Sequence, residues 1–386
     1  MITAAFFNQD YLMEKETIAA LRRMREVRLV VVSIPDVPTG SQAEEATRAL
    51  AQHDCRVLFT VNDWGLDREG IVASFCSSRA MIHVNWCGDD PFYHETFHGI
   101  PLNPVRNRID FVTDRSYVTP LRERGMRAHF LPLASDPSIF FPREPAPAFK
   151  RRACFVGNSY NQQIFEFSKG YEAFIDSHVP FVGSLLMEFR KNPLIDLSEE
   201  VGEKIATAIL PAGLTRQKAV FILKHLVSYF YRKKLIVSLC HLYADFMVFG
   251  DQWWLVDLPK EKVSTAVGYY VNLSETYQQT KVNIDVNRVV IREGLTQRIF
   301  DCLASGAFIL TNAKTILPEL FVTEGGAREV VMFESETHLK ELINFYATHD
   351  NERAAIVRRG RQRVLAEHTY DHRIQKIFRI VSEELV

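Results

Sequence analysis

A chain of 386 residues with 47% hydrophobic side chains has material for about two domains of ordinary size, each with its own core. The formal net charge of −1 offers no electrostatic excess for a polyanion, so nucleic acid is not an expected partner. The start "MITAAFFNQDYLMEKE" lacks the pattern of a signal peptide, and no apolar run approaches the roughly 18 residues of a membrane span, so the expected compartment is the cytoplasm.

The first third alternates strand and helix signals. Short strand-like runs fall at 3–7, 28–34, 56–61, 80–86, 110–113 and 127–131, and helical patterns at 15–25, 42–52, 67–77 and 117–124 separate several of them. Such alternation predicts a parallel sheet with helices on both faces, hence an α/β, Rossmann-like domain whose ligands gather beyond the strands' C-terminal ends. "PLASDPSIFFPREPAPAFKRR" follows, and its prolines forbid a continuous helix or a central strand, which marks a linker. A second strand-turn-helix begins at "ACFVGNSYNQQIFEF". The chain then reads as helical from about 196 to 243, alternation resumes with strands at 246–249, 282–286, 307–310 and 328–333, and helices at 336–348, 351–367 and 370–384 close it. Six scattered cysteines with no CxxC pair have the pattern of reduced core residues.

"REGLTQRIFDCLASGAFILT", residues 292–311, concentrates the chemistry of the second half. Leu295, Ile299, Leu303 and Ala307 form the apolar stripe of a helix lying on a core, which leaves Arg298, Asp301 and Ser305 on its other side. A helix starting near Leu295 or Thr296 presents free N–H groups and a positive dipole end to a diphosphate, and Gly294 lets that backbone come close. Glu293 and Asp301 suit sugar or ribose hydroxyls, and Arg298 suits phosphate. The alternative is a solvated face with an Arg298–Asp301 pair. Gly157, Asn158 and Ser159, at the exit of the second domain's first strand, form either a phosphate-binding turn or only a turn.

In the first half, "VNWCGDDPFYHETFHGIP" follows a buried strand. Asp89 and Asp90 suit the orientation and deprotonation of an acceptor hydroxyl, with Asp90 the favoured base, while Trp86 and His94 are placed as acceptor contacts. Against this stands an Asx turn before Pro91. His94 to His98 is also a literal HExxH, the zinc-peptidase pattern, but Pro91, Gly99 and Pro101 leave barely two helical turns, and no metal is expected. The segment 214–234 reads as a packed helix, a homodimer surface or a dock for a peripheral membrane contact.

"EGLTQRIFDCLASGA" resembles, without a gap, the glutamate, seven residues, glutamate motif of GT-B glycosyltransferases. The run "KVNIDVNRVVIREGLTQRIFDCLASGAFILT", with "HTYDHR", "WCGDDPF" and "LPLASDPSIFFP", is similar to the spore-maturation CgeB and YkvP glycosyltransferase-like family. The resemblance implies two Rossmann-like domains facing a cleft: residues 1–140 for the acceptor, 141–369 for the nucleotide sugar with a helix-rich insertion, and 370–386 as a helix returning to the first domain. It further implies a metal-independent transfer, with retention favoured, from a nucleotide-diphosphate sugar, a UDP-sugar by preference, to a glycan or other hydroxyl acceptor, without a cofactor. Asp301 matches the glutamate that holds the ribose and Glu293 the one near the donor sugar. Asp301 is one methylene shorter, Gln297 replaces a proline, and the family's arginine and lysine at the diphosphate are not evident; Lys281 or Arg298 is the substitute. An inactive nucleotide-sugar-binding protein of the same fold is the alternative.

Overall fold

The computed structural model describes residues 1–102, 105 and 107–384. They divide into two units, one of Met1–Ala134 with the segment from His368 onward, the other of Ser135–Glu367.

The first unit holds six strands: β1 (Ile2–Asn8), β2 (Val27–Ser33), β3 (Val57–Val61), β4 (Ile82–Cys87), β5 (Arg108–Val112) and β6 (Ala128–Phe130). All pair in parallel, in the order β2-β1-β3-β4-β5-β6. A parallel sheet is covered on both faces by its crossover helices, which is why its inner strands are continuous apolar runs. Ala4 to Phe7 and all of Val57–Val61 are buried. Trp86, placed by sequence as an acceptor contact, is instead core: its Nε1 donates to Leu131 O at 3.3 Å and its ring lies 5.6 Å from that of Tyr370. Tyr370 opens the last helix, Tyr370–Glu384, which packs Ile374 and Ile377 into this unit. Arg373 fastens it by donating to Pro132 O (2.7 Å) and Leu133 O (2.9 Å). Residues 385 and 386 of the expected returning helix lie outside the described residues.

Two buried histidines give this unit a pH dependence. His83 is pushed down to about 3 by burial and then by the Arg108 charge, and His94 down to about 4 by burial and then by His98. The unfolded chain takes up both protons near the ordinary value of 6.5, while the folded chain resists until far lower pH. The share of stability owed to these two groups is therefore full above about pH 6.5 and falls as pH drops toward 4. Each group contributes up to about 1.4 kcal/mol per pH unit in that window. Melting temperature followed against pH is expected to decline there, and His94→Phe to flatten the decline; an unchanged slope would remove His94 as a cause.

The second unit holds β7 (Arg151–Val156), β8 (Phe246–Phe249), β9 (Val263–Ser264), β10 (Thr280–Asp285), β11 (Ile309–Asn312) and β12 (Val331–Phe333). They pair in parallel as β12-β11-β10-β7-β8-β9. The chain runs outward from β7 to β9, then returns to the other side of β7 as β10 and runs outward again. The boundary between β7 and β10 is thus a topological switch point, where a crevice opens at the strand ends. The helical stretch starts earlier than the sequence predicts, with a helix at Glu172–Lys191 whose interior Pro180 disguises the pattern. The helix Arg216–Leu242 buries its apolar residues in this unit's core, so the packed alternative for 214–234 accounts for its stripe. All six cysteines are buried free thiols, and among the described residues no helix is long and apolar enough to cross a membrane.

Candidate functional site

At the switch point, the loop after β7 and the loop after β10 meet three arginines. Gly157 begins the first loop with φ 156°, and a Cβ there would lie 2.8 Å from Arg298 Nη2; only glycine lets that guanidinium come this close. Gly250, after β8, is required in the same way, since its Cβ would lie 2.3 Å from Gly157 O. Arg298 stands in the first turn of the helix Gln297–Ala304 and lies over the Phe155 ring at 5.1 Å. Arg288, on the loop after β10, approaches the Tyr160 ring at 5.6 Å. Arg232 comes from the middle of the helix Arg216–Leu242 and lies 4.8 Å from Tyr160 and 5.5 Å from Phe155.

Arg232 is the buried member. It donates to Asn158 O (3.2 Å) and Val286 O (2.9 Å), tying the two loops together through their carbonyls. Burial pulls its pKa down to about 10; beyond burial, Tyr160 and Asp285 raise it while Arg298 and Arg288 lower it. It remains charged at neutral pH. A positive charge held in a poorly solvated place by dipoles, next to two more guanidiniums, favours an anion beside it.

Asp285 is the carboxylate inside this group. It ends β10, is fully buried, and forms an ion pair with Arg298. Its oxygens also accept from Thr296 Oγ1 (2.9 Å), Asn287 Nδ2 (3.0 Å) and Thr311 Oγ1 (2.9 Å). It therefore joins β10, β11 and the start of the arginine-bearing helix.

Several sequence expectations change here. Arg298 pairs with Asp285 and not with Asp301. Asp301 and Ser305 are not on a solvated face: both are buried, because the segment carrying Tyr269 and Ser274 covers them, with bonds of 2.7 Å to Asp301 Oδ2 and 2.9 Å to Ser305 Oγ. Lys281 is at the start of β10, the opposite end from the switch-point loops, where its Nζ donates to Ala347 O at 3.0 Å. It cannot serve a phosphate at the loops. The turn at Gly157, Asn158 and Ser159 has two of its N–H groups already donated, Gly157 to Phe249 O (2.8 Å) and Ser159 to Asp251 (3.0 Å), so it shapes the site more than it supplies donors. Gly294 and Leu295 are buried beneath the helix start, Thr296 turns its hydroxyl to Asp285, and Glu293 is half-buried on the same loop.

In the first unit the strand-end loops carry Asn62, Asp63, Asp89 and Asp90. Asn62 and Asp63 both take left-handed backbone, φ 54° and 59°, a conformation that side chains resist and that surrounding bonds must hold. Asn85 Oδ1 accepts from Asp63 N, and Arg108 clamps Asp63 and Asp110 at 2.7 and 2.6 Å. Asn62 Oδ1 in turn accepts from the N–H of Gly88 (2.7 Å) and of Asp89 (3.2 Å), and its amide donates to the Asp89 carboxylate. Asp89 is thus positioned from below. Asp90 Oδ1 accepts from Phe92 N at 2.9 Å, which is the Asx turn weighed as the alternative to a base. His94 is buried and cannot line a surface site. The helix Tyr93–His98 has six residues, its Glu95 turns to Arg124 at 2.6 Å, and His94 and His98 lie with ring centres 5.2 Å apart; among the described residues no group of three or more His, Cys, Asp or Glu is placed to hold a metal ion.

The comparisons agree with this architecture. A family model described as "Glycosyl transferase-like" matches residues 232–379, starting at the buried arginine. No curated protein matches the sequence. Anabaena Alr3699/HepE, solved in complex with UDP-glucose, superposes with TM-score 0.57 at 9% identity over 99% of this chain and 100% of that one. Its complex with UDP and glucose gives TM-score 0.54 at 11% identity, over 99% and 100% of the two chains. A glycosyltransferase from Rickettsia africae gives TM-score 0.50 at 9% identity, over 100% and 98%. Likeness at such identities is likeness of fold, and with two six-stranded parallel sheets each flanked by helices, the chain has the GT-B fold of glycosyltransferases.

Proposed function

We propose that this protein is a glycosyltransferase that takes a nucleoside-diphosphate sugar, a UDP-sugar first among them, and passes the sugar to a hydroxyl acceptor. The observation that carries the reading is the arginine group at the second unit's switch point: Arg232, Arg288 and Arg298 surround two adjoining loops that enclose one paired carboxylate, Asp285. A diphosphate is the ligand whose charge such a group offsets, and the leaving group of a nucleotide sugar is a nucleoside diphosphate. Guanidiniums that stabilise the departing charge do the work a divalent cation does elsewhere, so the transfer is metal-independent in this reading. The similarity to the glycosyl transferase-like family over 232–379, and to a fold solved with UDP-glucose in Anabaena, supports the same assignment. Within it, the quoted motifs favour a CgeB/YkvP-like enzyme that retains anomeric configuration. The acceptor belongs to the loops of the first unit, where Asp89 and Asp90 are held.

Thermal stability against UDP, GDP, CDP and dTDP, with and without EDTA, tests the reading. One nucleotide is expected to raise the melting temperature regardless of EDTA; at 100 times its Kd, binding adds about 2.7 kcal/mol. Arg288→Ala is expected to keep the apo melting temperature and weaken that nucleotide about tenfold, the loss of one charge-assisted contact. No shift from any nucleotide would refute the assignment.

A further inference from the structure

The three arginines at the switch point are interleaved with two aromatic rings. Arg298 lies over Phe155 at 5.1 Å, Phe155 meets Arg232 at 5.5 Å, Arg232 lies over Tyr160 at 4.8 Å, and Tyr160 meets Arg288 at 5.6 Å. Every step is within the roughly 6 Å over which the face of a ring attracts a cation. Cation and ring thus alternate from the helix Gln297–Ala304 through the helix Arg216–Leu242 to the loop after β10. Three like charges gathered at one place repel, and a ring attracting both members of each neighbouring pair offsets that repulsion before any anion arrives. The two rings are held differently. Phe155 belongs to β7 and is fully buried, so the core fixes it. Tyr160 is half-buried, precedes the helix Asn161–Ser168, and takes left-handed backbone, φ 72° and ψ 0°. A bulky side chain resists that conformation and glycine accepts it freely, yet the chain carries an aromatic residue there. Backbone strain of this kind gathers at functional sites.

We propose that Tyr160 is a positioning residue for the diphosphate: its ring, carried on a left-handed turn, holds Arg232 and Arg288 in place, so that the anion meets an arginine group already assembled. This rests on the nucleotide-sugar reading above and adds to it the residue that prepares the site. Charge held in position beforehand binds more tightly, because the ligand does not have to order it.

The experiment is calorimetric titration of the full chain with UDP, GDP, CDP, dTDP and inorganic pyrophosphate, run beside thermal unfolding without ligand, on three variants. Tyr160→Leu keeps the left-handed strain but has no π face, and is expected to weaken the diphosphate about tenfold, the worth of one shielded cation–π contact. Tyr160→Phe keeps the face and is expected to bind within about twofold of the native chain. Tyr160→Gly removes ring and strain together, and is expected to melt no lower than the native chain while binding as weakly as the leucine variant. Affinity lost without stability lost is what a merely structural tyrosine would not produce. Native affinity in Tyr160→Leu overturns the proposal. So does a phenylalanine variant as weak as the leucine one, which would make the hydroxyl the contact, or a glycine variant that melts well below the native chain. Tighter binding by the glycine variant would make the ring an obstacle that the anion has to displace, and overturns it too. If pyrophosphate binds and no nucleotide does, the nucleotide-sugar reading falls while the variants still test Tyr160 on pyrophosphate; binding of neither overturns both.

Discussion

Asp285→Ala is expected to destabilise the second unit by about 3–5 kcal/mol, the usual cost of removing one partner from a buried ion pair. The side chain is fully enclosed, and its loss leaves Arg298, whose side chain is only 14% exposed, without the carboxylate that compensates it. Three neutral donors lose their acceptor as well: Thr296 Oγ1, Asn287 Nδ2 and Thr311 Oγ1. These belong to the helix start, the loop after β10 and β11, so the damage is shared by three segments that meet at the switch point. For a unit of this size the change corresponds to a melting temperature lower by roughly 10 °C. Asp285→Asn keeps the shape and part of the hydrogen bonding but removes the charge, and is expected to fall between the two. Differential scanning calorimetry on the three proteins checks the order. An alanine variant that melts with the native chain would mean that the Asp285 group is not the clamp described here. Saturating nucleotide should recover part of the loss, because a diphosphate beside Arg298 supplies the negative charge the mutation removed.

Much of the fold was legible in the sequence, because a parallel sheet writes its strands as short apolar runs between helical periods. The strand 246–249 and the helix 336–348 fall where periodicity places them. What failed had local causes. The two residues Val263–Ser264 of β9 are too few to carry a pattern, and Pro180 sits inside a helix of 20 residues. The site was legible in part. Arg298 and Asp301 stand out by spacing, yet Arg298 pairs with Asp285 and Asp301 accepts from Tyr269 as well as from its neighbour Gln297, and no local pattern predicts that Tyr269 covers Asp301 or that Asp285 takes Arg298. Two signals were available and passed over. Asp285 is a charged residue at the end of an otherwise apolar buried strand, which needs a partner. Arg232 falls on the core stripe of its helix, in step with Ile222, Leu226, Tyr229 and Ile236, and a guanidinium on a core stripe has a reason to be there.

Glu293→Gln is expected to reduce the turnover of sugar transfer by about 10²–10³ while leaving donor affinity within a few-fold. The residue rides on a loop that is pinned along its length. Asn287 N donates to Asn312 Oδ1 at 2.8 Å, Lys314 Nζ holds Ile291 O, Arg292 pairs with Asp196 at 2.5 Å, and Thr296 is tied to Asp285. An amide of the same shape should leave that loop in place, so a change in rate reports on charge and not on folding. As the bond between sugar and diphosphate breaks, positive charge develops on the sugar ring and negative charge on the leaving oxygens. In the proposed site the arginines would face the second, and the resemblance puts the Glu293 carboxylate near the first. A neutral amide stabilises the bound donor about as well but not the separated charges, which is why the loss belongs to turnover and not to affinity. Single-turnover transfer, with donor Kd measured separately by titration, makes the distinction. Equal losses in both would reassign Glu293 to holding the donor, and an unchanged rate would remove it from the chemistry, leaving the arginine group to bind a nucleotide sugar without this residue's help.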